Sequence, residues 1–321
     1  MAELHDLTAL QQADAVRRRE VSPLELAEHY LARIERLSDS LGAFVTVTGE
    51  LAGKQAKVAG SFLDGGPLPP LFGVPTAIKD LNMTAGVRTT FGSATMADFV
   101  PDVSDEVVLR LEAQGMISLG KTNTPEFGSP CYTEPDVAPP ARTPYDLDRM
   151  AGGSSGGAAA AVAAGLVPVA QGSDGGGSIR IPASCCGLFG LKPSRGRISG
   201  SPMYGDPVGL GTAGPLARTV RDAAALLDVM AGPAVGDPFW AAPLPEGETF
   251  LGWCDREPGR LRVAAFSAPL IADAGVHEEC LIAYRDAMRL LELQGHDVEE
   301  IAVPIPPEAV TTFETCWSVL T

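Results

Sequence analysis

The sequence predicts an α/β protein in which helices cover a sheet, and three observations carry that prediction. Amphipathic helical patterns alternate along the chain with short apolar runs of strand length. Hydrophobic residues make up 45% of the 321 residues and charged residues 20%, enough for a sizeable core and incompatible with a disordered chain. The 36 glycines and 27 prolines are too many turn formers for a plain helical bundle.

Ser22-Pro23-Leu24-Glu25 opens the first clear helix, with Ser as N-cap, Pro at the first helical position and Glu closing a capping box. Leu24, Ala27, Leu31 and Ile34 then recur at helical spacing. A strand follows over 42–47, and the run 71–80 is apolar until it meets Lys79-Asp80. Ser104 and Asp105 start a helix carrying Val107, Val108 and Leu111 and ended by Gly115; 116–120 reads as a short buried strand. An Ala-rich helix over 158–164 and a strand over 167–170 separate two Gly-rich stretches. Thr219 caps a helix running to Met230. Beyond it, 260–266 is expected as a strand, 276–293 as a helix and 297–303 as a strand, while 233–258 reads as a loose surface excursion rather than a domain boundary.

The chain carries 24 Lys+Arg against 40 Asp+Glu, a formal net charge of −16, which argues against direct nucleic-acid binding. The longest apolar stretch, 156–170, is small-sided, broken by Pro168 and short of the roughly 18 residues a membrane span requires. The first residues offer no basic and apolar leader pattern, so no secretory signal is expected. The six cysteines form no C-x-x-C pair and no metal-ligand spacing, so reduced thiols in a cytoplasmic protein are expected. Gly209-x-Gly211-x-x-Gly214 matches a dinucleotide fingerprint by letter only, since Pro215 stands where a helix should continue. His277-Glu278-Glu279-Cys280 falls inside an amphipathic helical pattern and is expected to be solvated.

Two segments are too dense in Gly and Ser for ordinary structure. They are Gly152-Gly153-Ser154-Ser155-Gly156-Gly157 and Asp174-Gly175-Gly176-Gly177-Ser178-Ile179-Arg180. Consecutive glycines let backbone amides converge on a point, and a Ser at the end of such a run puts a hydroxyl beside those donors. That combination suits acyl transfer, with nucleophile and oxyanion hole in one turn. A pair of tight loops packed against a sheet is the plainer alternative. None of the four histidines falls between Leu71 and Asp222, so Lys79, at the end of an apolar strand, is the better candidate base. A free lysine has a pKa of about 10.4, and desolvation by roughly three units would make it usable near neutrality. Taken alone, Lys79 could equally be half of a salt bridge with Asp80.

Gly73-Val74-Pro75 with Ile78-Lys79-Asp80, the Gly152 to Gly157 run, and Gly176-Gly177-Ser178-Ile179-Arg180 with Pro182-Ala183-Ser184 and Cys186-Gly187 together resemble the amidase signature family. The stretches 142–149, 190–197 and 214–222 fit it too, and the similarity extends over about residues 20–232. The resemblance implies an α/β/α sandwich with a central mixed, twisted sheet, incomplete at its C-terminal end because family members commonly run longer. It implies a single domain over 1–321, with N-terminal helices to about 70, a catalytic core over about 71–232 and a partial C-terminal region over about 233–321. It also implies a Ser–cis-Ser–Lys triad: Lys79 as base, Ser154 as bridging serine in a cis peptide, and Ser178 as nucleophile.

By the same resemblance Gly175, Gly176 and Gly177, with Ser178 itself, supply the oxyanion hole, while Ser155, Asp174 and Arg180 support the loop. The implied activity is hydrolysis of an amide, with esters as a further option, through an acyl-enzyme and without metal or organic cofactor. Two alternatives stand beside it: the glutamine-hydrolysing component of a tRNA-dependent amidotransferase, and a truncated, non-catalytic binding member of the family. The expected partners are a small amide substrate and, as an option, a second copy in a homodimer. The chain departs from the family pattern at Gly175, where a side chain such as Thr is usual, at Pro135 in place of Asn, and in lacking the acidic residue before Gly214-Pro215. These changes, with the altered 205–214 region, bear on substrate choice and lean towards a stand-alone amidase.

Overall fold

A computed structural model describes residues 3–203, 206, 208–269, 274–306 and 308–320. The chain divides into two compact units, Met1–Cys254 and Asp255–Thr321, and the division falls inside the stretch 233–258 that the sequence offered as a surface excursion.

The first unit opens with α1 (Ala9–Arg17) and α2 (Pro23–Leu41). The capping box of α2 forms as the sequence requires: Glu25 N donates to Ser22 Oγ at 3.1 Å and Ser22 N to Glu25 Oε2 at 2.7 Å. The apolar arc of α2 is wider than Leu24, Ala27, Leu31 and Ile34, because Leu26 and Tyr30 are fully buried while Leu24 and Leu31 are only partly so. The chain continues through β1 (Phe44–Val47), α3 (Gly49–Ser61), β2 (Pro75–Lys79), α4 (Glu106–Ala113) and β3 (Ile117–Thr122). A short hairpin, β4 (Arg142–Thr143) and β5 (Asp146–Met150), precedes α5 (Gly156–Ala163) and β6 (Val169–Asp174). Then come α6 (Arg180–Cys185), β7 (Phe189–Gly190), β8 (Thr212–Ala217), α7 (Val220–Met230) and α8 (Phe250–Trp253).

The strands form two adjoining three-stranded ladders. In β1-β3-β2 the first pair is antiparallel and the second parallel; β6-β8-β7 is antiparallel throughout. The ladders meet along β2 and β6, where side chains bridge them: Lys79 N donates to Gln171 Oε1 at 2.9 Å and Thr76 Oγ1 to Val169 O at 3.2 Å. Successive strand residues feed opposite cores, as the two-residue period of a strand dictates. Ala77, Ala170 and Leu216 pack with α2, α3 and α5, whereas Ile78, Val169 and Ala217 pack with α1, α4 and α7. Helices therefore cover both faces of a mixed central layer, which is the α/β/α layering expected. Within that layer the seam between β2 and β6 is closed partly by side chains, because Gln171 takes the amide of Lys79.

The second unit holds β9 (Arg262–Ala265), α9 (Glu278–Leu293), β10 (Asp297–Glu300) and α10 (Glu308–Leu320). The two strands pair in parallel, Arg262 opposite Asp297, with α9 as the connection. The stretch His277 to Cys280 opens α9, where His277 Nδ1 accepts from Glu279 N as a helix cap. Among the described residues no helix is long and apolar enough to cross a membrane, and all six cysteines are free thiols.

Candidate active site

Three chain segments converge where β2 and β6 end. Lys79 is the last residue of β2 and has no exposed surface. Its Nζ donates to Ser154 Oγ at 2.7 Å, to Ser173 Oγ at 3.1 Å and to Ser173 O at 3.4 Å. Burial pushes its amine down from 10.5 to about 7, and the more distant Asp174 charge only partly opposes this. The salt bridge with Asp80 that the sequence allowed does not form, since Asp80 pairs with Lys121.

Ser154 lies in the loop before α5, and the peptide bond between Gly153 and Ser154 is cis. Glycine is required in this loop because other backbone crowds it: a Cβ on Gly153 would stand 2.6 Å from both N and O of Tyr132. Ser155 is fully buried, donates from Oγ to Ser173 O at 3.1 Å and accepts from Ser173 N at 3.2 Å. Its amide donates to Ser178 O at 3.1 Å, which ties the first Gly-rich loop to the second. Ser178 is 7% exposed, and its hydroxyl makes no hydrogen bond among the described residues.

The loop carrying Ser178 is wound around Asp174. The buried carboxylate accepts from Gly177 N at 2.8 Å, Ile179 N at 3.2 Å and Arg180 N at 3.4 Å, and Arg180 grips both oxygens at 2.9 Å. Burial raises this carboxyl, but the Arg180 fork and the amides outweigh it and hold Asp174 below the usual carboxylate range. This corrects one expectation. The Gly177 amide is turned inward on Asp174 and is not a free oxyanion donor, whereas the amides of Gly175, Gly176 and Ser178 have no partner among the described residues.

Several neighbours of the site carry no distinctive sequence signal. Gln171 accepts from Lys79 N and donates to Asn82 Oδ1 at 2.8 Å; Asn82 in turn donates to Asp105 Oδ2 at 2.8 Å. Lys121, on β3, is buried almost as fully as Lys79, with Nζ 3.2 Å from Asp80 Oδ1 and 2.7 Å from both Asn82 O and Thr89 Oγ1. Thr133, in the segment with Pro135, donates to Gly152 O at 2.9 Å and so braces the Ser154 loop. The altered 205–214 stretch lies partly outside the described residues, and Gly214 sits within strand β8 rather than in a phosphate-binding turn.

Comparison with known proteins points the same way. The Amidase family model matches residues 25–320. A "Putative amidase" of Synechocystis sp. is 45% identical over 97% of this chain and 61% of its own length. The A subunit of glutamyl-tRNA(Gln) amidotransferase from Roseiflexus sp. is 40% identical over 98% of this chain and 63% of its own length. The solved structure of 6-aminohexanoate cyclic dimer hydrolase complexed with substrate superposes with a TM-score of 0.90 at 36% identity, covering 99% of this chain and 66% of that one. The chain thus spans a little over three-fifths of the length of these curated relatives. Family match, fold and motif order agree, and the chain belongs to the amidase signature family.

Proposed function

We propose that this chain carries the catalytic core of an amidase that cleaves a carbon–nitrogen amide bond through an acyl-enzyme on Ser178. The observation that supports this most is the Lys79 amine, fully buried, 2.7 Å from Ser154 Oγ and lowered by burial from 10.5 to about 7, so that a neutral fraction is available near pH 7. In this reading Ser178 Oγ attacks the acyl carbon, its proton passes to Ser154 and the Ser154 proton passes to Lys79. The amides of Gly175, Gly176 and Ser178 receive the oxyanion. As the tetrahedral intermediate collapses, the C–N bond breaks and the proton returns through Ser154 to the leaving amine. Water then cleaves the ester by the same relay, releasing the acid and free Ser178. Asp174, Arg180 and Ser155 hold the two loops in register without touching the reacting atoms.

A fluorophosphonate should label Ser178, and Ser178→Ala should abolish labelling. Lys79→Ala should lower amide hydrolysis by at least ~100-fold, the scale of a lost general base. Full labelling of the Ser178→Ala variant would remove the assignment and favour the non-catalytic reading. The reading carries with it a cytoplasmic protein acting on a small amide, as monomer or homodimer. Because one similar solved enzyme is named for a cyclic amide, the substrate panel spans anilides, aliphatic and cyclic amides, glutamine and esters.

A second reading rests on the 40% identity to a component of an amidotransferase. In it the same triad hydrolyses glutamine and passes ammonia to a partner protein. Glutamine hydrolysis that appears only with a co-purified partner would select it; hydrolysis of simple amides by the chain alone selects the first.

A further inference from the structure

Lys79 is held at both ends by a strand that shares no ladder with its own. β2 and β6 lie side by side but belong to different ladders, so among the described residues no run of backbone hydrogen bonds fixes one against the other. Gln171 and Ser173 stand two residues apart on β6 and present their side chains to the same face. Ser173 Oγ accepts from Lys79 Nζ at 3.1 Å, and Gln171 Oε1 accepts from Lys79 N at 2.9 Å. The Gln171 side chain thus does for the Lys79 backbone what a neighbouring strand's carbonyl does in an ordinary sheet. Gln171 is itself seated: it has no exposed surface, and its Nε2 donates to Asn82 Oδ1 at 2.8 Å and to Gly172 O at 2.9 Å. Asn82 closes the ring, since its N donates to Lys79 O at 3.0 Å, and its Nδ2 donates to Asp105 Oδ2 at 2.8 Å. Asp105 is the N-cap residue of α4, yet its side chain caps no amide of that helix and accepts from Asn82 and from Met83 N instead. A continuous line of side-chain hydrogen bonds therefore runs from the start of α4 through Asn82 and Gln171 to the backbone of Lys79.

We propose that Gln171, seated by Asn82, is a positioning residue for the base: it sets β2 against β6 so that the Lys79 amine reaches Ser154 and Ser173 together. This role presupposes Lys79 as the base. The reach is demanding, because Nζ sits 2.7 Å from Ser154 Oγ on one loop and 3.1 Å from Ser173 Oγ on another strand. A hydrogen bond is lost by about 3.6 Å, and a misplacement of about 1 Å at a reacting group costs on the order of 100-fold in rate. The flexible aliphatic stem of a lysine supplies no such fixity by itself. Its backbone must be fixed instead, and Gln171 fixes it from the strand that also carries Ser173.

The test is a cycle of variants read by the rate of fluorophosphonate labelling at Ser178, timed by mass spectrometry on the full chain. Gln171→Met keeps the length and the burial but removes both amide hydrogen bonds. It should slow labelling at least ~10-fold in the parent protein and less than about twofold in a Lys79→Ala background, where no base is left to misplace. No slowing in the parent, or equal slowing in both backgrounds, overturns the proposal; equal slowing is what a merely structural role gives. If Lys79→Ala labels too slowly to time, amide hydrolysis decides instead. Fluoride leaves without a proton whereas the amine needs one, so Gln171→Met should lower kcat/KM for an amide at least ~3-fold more than it lowers labelling. An equal loss in both overturns the proposal. Asn82→Ala, which frees the Gln171 amide, replaces Gln171→Met if that variant fails to melt cooperatively, with the same pattern expected. Labelling of the parent protein keeps the two readings apart: labelling that Gln171→Met leaves unchanged rejects the positioning role alone, and absent labelling rejects the catalytic assignment beneath it.

Discussion

A lysine held near pKa 7 in a protein interior has consequences for stability as well as for chemistry. Between pH about 7 and 10.5 the unfolded chain keeps a proton on Lys79 that the folded chain has lost. The unfolded state then binds more protons, so this residue's contribution to stability rises with pH across that window and is lost as pH falls towards 7. Lys79→Met should therefore abolish activity yet stabilise the protein at pH 7, by about 1–3 kcal/mol after the lost hydrogen bonds are counted. Thermal unfolding at pH 7 and pH 10 checks this: the gain in Tm should shrink at the higher pH. Amide hydrolysis by the unmodified protein should rise through pH about 7, the sense expected of a base that must shed a proton first. Lys79, Ser154 and Ser178 are legible in the sequence because each ends or interrupts a run of distinctive composition. Lys121, Gln171 and Asn82 are not, because their importance lies in hydrogen bonds made across strands 39 to 92 residues apart.

At the scale of elements, legibility follows the strength of the local signal. The capping box of α2 and the Thr219 cap of α7 are readable because they depend on residues within one helical turn. α1 and α3 fall in the region to about residue 70 where the resemblance implies helices, but no local pattern picks out either one, although α1 has its own capping box between Thr8 and Gln11. β8 escapes it for a physical reason: Gly214 and Pro215 argue against a central strand, yet β8 is flanked by β6 and β7. Gly214 is needed there, since a Cβ would stand 2.8 Å from Ile179 Cδ1 and crowd Leu191 O. The Gly-rich run before α5 has a similar basis. Beyond letting amides converge, several of its glycines are required by close packing. A Cβ on Gly157 would meet Ala43 O at 2.5 Å and Asn123 Cβ at 2.6 Å, neither of which can yield without moving backbone. Gly157→Ala should accordingly destabilise the protein by roughly 2–4 kcal/mol despite the better helix propensity of alanine. Denaturant unfolding decides it: an unchanged midpoint would mean that the α5 start has room to shift.

At the scale of the molecule, every group in the proposed chemistry, from Lys79 to Ser178, belongs to the unit Met1–Cys254, together with the two apolar clusters that hold its layers. In the second unit α9 and α10 have no buried residue among those described, and Ile282, Leu290, Leu293 and Val319 are exposed. The sequence alone could not draw this line, because α9 and β9 carry patterns as regular as those of the first unit; burial depends on what those patterns meet. The division makes a separable claim about the site. The loops around Ser154 and Ser178 are fixed by Asp174, Arg180, Ser173 and Thr133, all within the first unit. A fragment comprising residues 1–254 should therefore fold cooperatively and still react with a fluorophosphonate at Ser178, within about threefold of the rate of the full chain. That rate is set by the nucleophile, its base and the oxyanion donors rather than by binding of a large substrate. Mass spectrometry of the labelled peptide and a thermal melt of the same sample decide the matter. A fragment that melts cooperatively but has lost labelling would mean that residues after Cys254 hold the two Gly-rich loops in their reactive arrangement.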